Sequence, residues 1–82
     1  MLRYLLDTDH LTLYQFGHSL VTQRVTLHKG TIGLPVVTIE ESLRGQLAAL
    51  AQARVGIHRI RGYDSLRRLL VLFNQFPTVP YD

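Results

Sequence analysis

Three short apolar runs, separated by two longer stretches with helical periodicity, constrain this chain more than any other feature. The runs are residues 2–6 (LRYLL), residues 32–39 (IGLPVVTI) and the opening of a third at residues 78–82 (TVPYD). A short apolar run at a chain start reads as a buried strand. The second run is β-branched and nearly continuous, as strands buried on both faces tend to be. Pro35 lies inside it and predicts that the paired part starts there. Strands that alternate with helical stretches predict an α/β fold, with parallel strands joined by crossover helices. At 82 residues the chain is one domain at most. It contains no internal repeat, low-complexity segment or linker.

The first helical stretch divides in two. Asp9 is placed to cap a helix beginning near His10, with Leu11, Leu13 and Tyr14 as its apolar contacts and Gly17 as its end. A second helix is predicted over residues 19–28, with Leu20, Leu27, Val21 and Val25 inward and Lys29-Gly30 closing it. After the second strand, Thr38 and Glu41 have capping-box spacing. Leu43, Leu47 and Leu50 then form one face of a third helix running to about Arg54. Gly56 interrupts. A fourth helix carries Ile57, Ile60, Leu66, Leu69, Leu70, Phe73 and Phe76 at helical intervals until Pro77.

Composition excludes several classes. There is no cysteine, which rules out disulfides and thiolate metal sites and fits a reducing cytoplasm. The longest apolar run, Leu69 to Phe73, is far short of the ~20 residues a membrane span needs. No charged leader followed by a long apolar segment opens the chain, so no secretion signal is expected. Glycine-rich phosphate loops, a nucleophile elbow and zinc signatures are missing. The formal charge is +3, unevenly spread. Arginines 44, 54, 59, 61, 67 and 68 crowd one half, whereas four of the six acids form two pairs, Asp7/Asp9 and Glu40/Glu41. That asymmetry suits a polyanionic partner and a metal-dependent site.

In parallel α/β sheets, ligands bind beyond the carboxyl ends of the strands. Asp7 stands where the first strand ends, and Glu40 and Glu41 just after the second. If those strands are neighbours, both acidic pairs open onto one end of the sheet. Carboxylates converging there suit Mg²⁺ or Mn²⁺, and hydrolytic nuclease chemistry. Each acid also has a plainer reading. Asp9, or Asp7, is a helix cap; Glu41 is the capping-box partner of Thr38; Glu40 is a solvated first-turn acid. His10 reads as a surface histidine, because no second histidine lies one helical turn away. The arginines read as a solvated helix face, with only Tyr63 among them as a stacking platform.

The words themselves go further. "YLLDTDHLTL" resembles the first strand and acidic turn of PIN-domain proteins, especially the VapC-like toxins of toxin–antitoxin pairs. "VVTIEESLRG" is similar to their second strand and following helix, and "FNQFPTVPYD" to their entry into the third strand. The resemblance runs the length of the chain and implies a PIN-like three-layer α/β/α fold. The part seen here is an N-terminal portion with about three strands and four helices. It implies a Mg²⁺- or Mn²⁺-dependent endoribonuclease acting on RNA. Asp7 and Glu41 stand at the positions of its first two acidic metal ligands, with Thr8 and Asp9 supporting them from the turn. Asp82 falls in a segment that is often acidic but is given no metal role. A cognate antitoxin, a homodimer and a cytoplasmic location are the partners and setting the resemblance implies. Two departures follow. The family's remaining acids come from a second half of the domain that these residues do not contain. Without the strands that would flank it, the first strand becomes an open edge. The alternative is therefore a catalytically inactive interaction module that dimerises or binds an antitoxin. A third reading is a plain RNA-binding piece that uses its arginines.

Overall fold

The computed structural model describes residues 2–53 and 55–80. Met1, Arg54, Tyr81 and Asp82 lie outside them, so the readings placed on Arg54 and Asp82 do too. The order is β1 (Tyr4–Leu5), α1 (Thr8–Gln15), α2 (Ser19–His28), a 3-10 turn (Lys29–Thr31), β2 (Ile32–Pro35), α3 (Val36–Gln52), α4 (Gly56–Phe73) and β3 (Thr78–Val79). The three strands form one parallel sheet in the order β1-β2-β3. The α/β class with parallel strands is as the alternation predicts. No helix among the described residues is long and apolar enough to cross a membrane.

β2 is central and buried along its whole length. Ile32 and Leu34 alternate onto one face and enter the main core with Leu6, Leu11, Val21, Val25, Leu69, Phe73 and Phe76. Gly33 faces the other way, where both flanking segments press in. A Cβ there would lie 2.8 Å from Leu2 Cδ1 and 2.8 Å from Val79 Cγ2. β2 is shorter than residues 32–39, and its paired part ends at Pro35 rather than starting there. Proline has no N–H to continue the ladder, and its φ of −64° with ψ 145° sets up a helix start. Val36 to Ile39 are therefore helical despite their β-branched composition. Tertiary context overrides their propensity.

α1 also begins earlier than expected. Asp7, not Asp9, is its N-cap, because the chain leaves the β1 ladder at Leu6, whose N–H donates to Gly33 O. At its other end Gly17 adopts φ +76°, with Gly17 N–H donating to Tyr14 O and His18 N–H to Leu13 O. This pair of bonds is the Schellman closure that a left-handed glycine allows. α2 has the expected bounds, but its inward face is Val21 and Val25, one helical turn apart; Leu20 and Leu27 are exposed. On α3, Leu50 is buried and Leu43 packs against the core, while Leu47 is exposed. On α4, Leu69 and Phe73 are buried, whereas Ile57, Ile60 and Leu70 face solvent. Phe76 is buried from the turn after α4, not from the helix itself.

β1 is an exposed edge rather than a buried strand, with Tyr4 44% and Leu5 49% accessible. Among the described residues nothing pairs with its outer side. The first strand is thus an open edge, as expected without strands to flank it.

Gly33→Ala is expected to lower the urea midpoint by the equivalent of about 1–3 kcal/mol, the usual cost of overpacking. Gly45→Ala, at an α3 position where a Cβ meets nothing within 4 Å, is expected to raise it by ~0.5–1 kcal/mol. If the two variants shift the midpoint alike, the close strand approach at Gly33 relaxes freely.

Candidate metal centre

β1 and β2 are adjacent and parallel, with Tyr4 opposite Ile32 and Leu5 opposite Gly33. Their carboxyl ends therefore open side by side. Asp7 leaves β1 and caps α1; Glu41 lies about one and a half turns into α3, which starts directly after β2. A cleft of 340 Å³ lies between them, lined by Leu5, Asp7, Thr8, Asp9, Pro35, Val37, Thr38 and Glu41.

Thr8 joins the two sides. Its hydroxyl donates to Glu41 Oε1 at 2.8 Å, linking residues 33 apart in sequence. Glu41 therefore does not complete a capping box with Thr38. Thr38 is buried within α3, and the α3 N-cap is Pro35, which offers no side-chain cap bond. Glu40 is also past the first turn, where it pairs with the exposed Arg44 four residues on.

Asp7 is held by one oxygen. Its Oδ1 accepts from His10 N–H at 2.8 Å, the bond expected of an N-cap. The same Oδ1 lies 2.8 Å from His10 Nδ1. The His10 backbone N–H, then its side chain, hold the Asp7 carboxyl below the ordinary carboxylate range. His10 occupies the N3 position, from which a capping-box side chain reaches back to the cap. That spacing, Asp then His three residues later, was visible in the sequence; an isolated histidine judged only by its distance to other histidines hides it.

Of the residues expected at the site, the structure brings together Asp7, Thr8 and Glu41. Asp9 lines the same cleft from the first turn of α1, where its charge complements the helix dipole. Its side chain makes no hydrogen bond among the described residues. Nor do three His, Asp or Glu side chains converge there into a metal-binding group. Two carboxylates, a hydroxyl and an open cleft are a donor set that suits a hard cation keeping most of its waters.

The arginines are largely engaged. Arg67 and Arg68 share Asp64, and Arg59 reaches the Leu50 and Ala53 carbonyls at the end of α3 and the Tyr63 hydroxyl. The solvated-face reading describes them better than a dedicated polyanion track. No protein family, curated protein or solved structure gives a match to this chain.

Because the Asp7 pKa is depressed in the folded state, its stabilisation is present above the ordinary carboxylate pKa. It is lost as pH falls through the depressed value. Asp7→Asn, which keeps a cap acceptor but cannot ionise, is expected to show a shallower fall in stability below pH ~4 than the wild type. Asp7→Ala is expected to cost about 1 kcal/mol at neutral pH. Thermal melts across pH check both, and an unaltered acid slope in Asp7→Asn would sink the assignment of that slope to Asp7.

Proposed function

We propose that this chain carries the acidic strand-end site of a metal-dependent endoribonuclease of the VapC-like PIN type, with Asp7 and Glu41 as its ligands for Mg²⁺ or Mn²⁺. The observation that supports this reading is the Thr8 bridge. It ties the turn that follows Asp7 to Glu41, 33 residues on, at the carboxyl ends of adjacent parallel strands, where ligands of open α/β sheets bind. A cation bound there would lower the pKa of a coordinated water and offset charge on a scissile phosphate. The chain's own residues prepare that site. His10 holds the Asp7 carboxyl below the ordinary carboxylate range, Thr8 holds one oxygen of Glu41, and Leu5, Pro35 and Val37 form apolar wall beside them. Mg²⁺ is commonly bound by one or two carboxylates plus waters and substrate phosphates. RNA is the substrate in this reading. The PIN-like three-layer arrangement, an antitoxin partner, a homodimer and a cytoplasmic setting belong to the same proposal.

A second reading is a catalytically inactive interaction module. It is favoured by the exposed β1 edge, with Leu2, Tyr4 and Leu5 accessible, and by the cleft, where among the described residues Asp7 and Glu41 are the only carboxylates held by hydrogen bonds.

The two readings separate on RNA cleavage. Cleavage of a structured RNA is expected to need Mg²⁺ or Mn²⁺ and to stop with EDTA. Asp7→Asn and Glu41→Gln are each expected to reduce it by more than about a hundredfold, beyond the loss typical of an outer-shell partner. Gln can still accept from Thr8, so that variant removes charge while sparing the bridge. Cleavage that survives EDTA or both substitutions would refute the metal-site reading. Absence of any cleavage by the wild type would favour the interaction module.

A further inference from the structure

We infer that His10 is a positioning residue for Asp7, fixing the carboxylate through an Nδ1–H donor so that one oxygen is left for a cation. This inference rests on the metal-site reading above and deepens it.

The argument begins with the inventory of hydrogen bonds. An ionised carboxylate only accepts. The contact of 2.8 Å between Asp7 Oδ1 and His10 Nδ1 therefore requires a proton on Nδ1. In the neutral ring that fixes the tautomer, with Nε2 as acceptor. The His10 backbone N–H donates to the same oxygen, also at 2.8 Å. Two donors from one residue thus converge on Oδ1. Among the described residues no hydrogen bond reaches Oδ2, although Asp7 lines the cleft it shares with Glu41. A lone cap bond would leave the carboxylate free to rotate about its Cβ–Cγ bond; the second donor restricts that rotation.

Helix capping alone does not account for the ring contact. The cap bond is made by the backbone N–H, which any residue but proline supplies at this position. The imidazole adds nothing to the count of satisfied helix N–H groups. Its side chain is 56% accessible and that of Asp7 65%, so burial does not force the two together either. Its effect is on the orientation and basicity of the carboxylate, the role that outer partners play for metal ligands.

The test is Mn²⁺ affinity, measured by electron paramagnetic resonance on the whole chain in wild type, His10→Ala, His10→Asn and His10→Gln. All three substitutions keep the backbone N–H and hence the cap. Asn can place an amide N–H where Nδ1 stood; Gln places its amide one bond further out. The expected result is a loss of about tenfold or more in affinity for His10→Ala. His10→Asn should recover most of it and His10→Gln little, with melting temperatures close to that of the wild type throughout. Binding by the wild type that is unchanged in His10→Ala overturns the inference and leaves the metal site standing. Loss of affinity that follows loss of melting temperature, without rescue by Asn, also overturns it, since a structural role then accounts for the effect. If the wild type binds no Mn²⁺, the metal-site reading fails and the inference with it. Long-range ¹⁵N correlation of the imidazole gives an independent check. In the neutral ring Nδ1 is expected to carry the proton, and an Nε2–H tautomer would contradict the donor assignment.

Discussion

The junction at Pro35 governs the geometry of everything around it. A residue without an N–H cannot continue the ladder of β2, and its fixed φ is already that of a helix entry. The strand therefore stops at Pro35 and α3 starts at Val36 with no intervening loop. This lack of slack fixes where Glu41 falls. A strand continuing to Ile39 would place Glu41 at or near the start of the following helix. Starting the helix at Val36 carries Glu41 about one and a half turns along it, to where Thr8 can reach its carboxylate. The same early start puts Thr38 inside the helix and buries it, which dissolves the capping box its spacing had promised.

The legible parts of the fold are those encoded locally. The end of α1 at Gly17 and the span of α2 follow from single residues and their immediate neighbours, and both were readable. The alternation of strand and helix was readable for the same reason. What was hidden depended on neighbours distant in sequence. Leu20 and Leu27 are as apolar as Val21 and Val25, and only the position of Leu11 and β2 decides which pair turns inward. Ile57, Ile60 and Leu70 continue the periodic stripe of α4, but the core it serves involves only Leu69 and Phe73 among its buried residues. The cap was ambiguous because Asp7 and Asp9 are both able to serve, and the choice lies with where the β1 ladder releases the chain. At the candidate site, the acidic residues were visible, but the Thr8 bridge and the double His10 contact were not. Both depend on rotamers that spacing does not specify.

The distribution of charge acquires a different meaning once partners are known. The basic half of the chain looked suited to a polyanion. Yet Arg59 reaches the carbonyl end of α3, where a cation also complements the helix dipole. Arg67 and Arg68 neutralise Asp64, and Arg44 neutralises Glu40. These pairs are exposed and individually worth little stability. Their consequence is electrostatic: Glu40 and Asp64 offset two of the positive charges near α3 and α4. Among the described residues, no arginine pairs with the acids at the head of the sheet. Asp7 is paired to a histidine and Glu41 to a hydroxyl, so their negative charge remains available to the cleft.

Asp7 is the cap of α1, and the metal role proposed for it does not compete with that one. A carboxylate has two oxygens. Oδ1 of Asp7 is held by His10 and Oε1 of Glu41 by Thr8, and both holders stand in the first turn of α1. One short helical segment thus anchors one oxygen of each acid, which is how outer contacts orient a ligand without consuming it. Capping is then part of the preparation of the site. The two His10 contacts at the start of α1 together hold Oδ1 of Asp7 at the cleft it shares with Glu41. Substitutions of Asp7 therefore perturb helix and site together unless, like Asn, they preserve the held oxygen and remove only the charge.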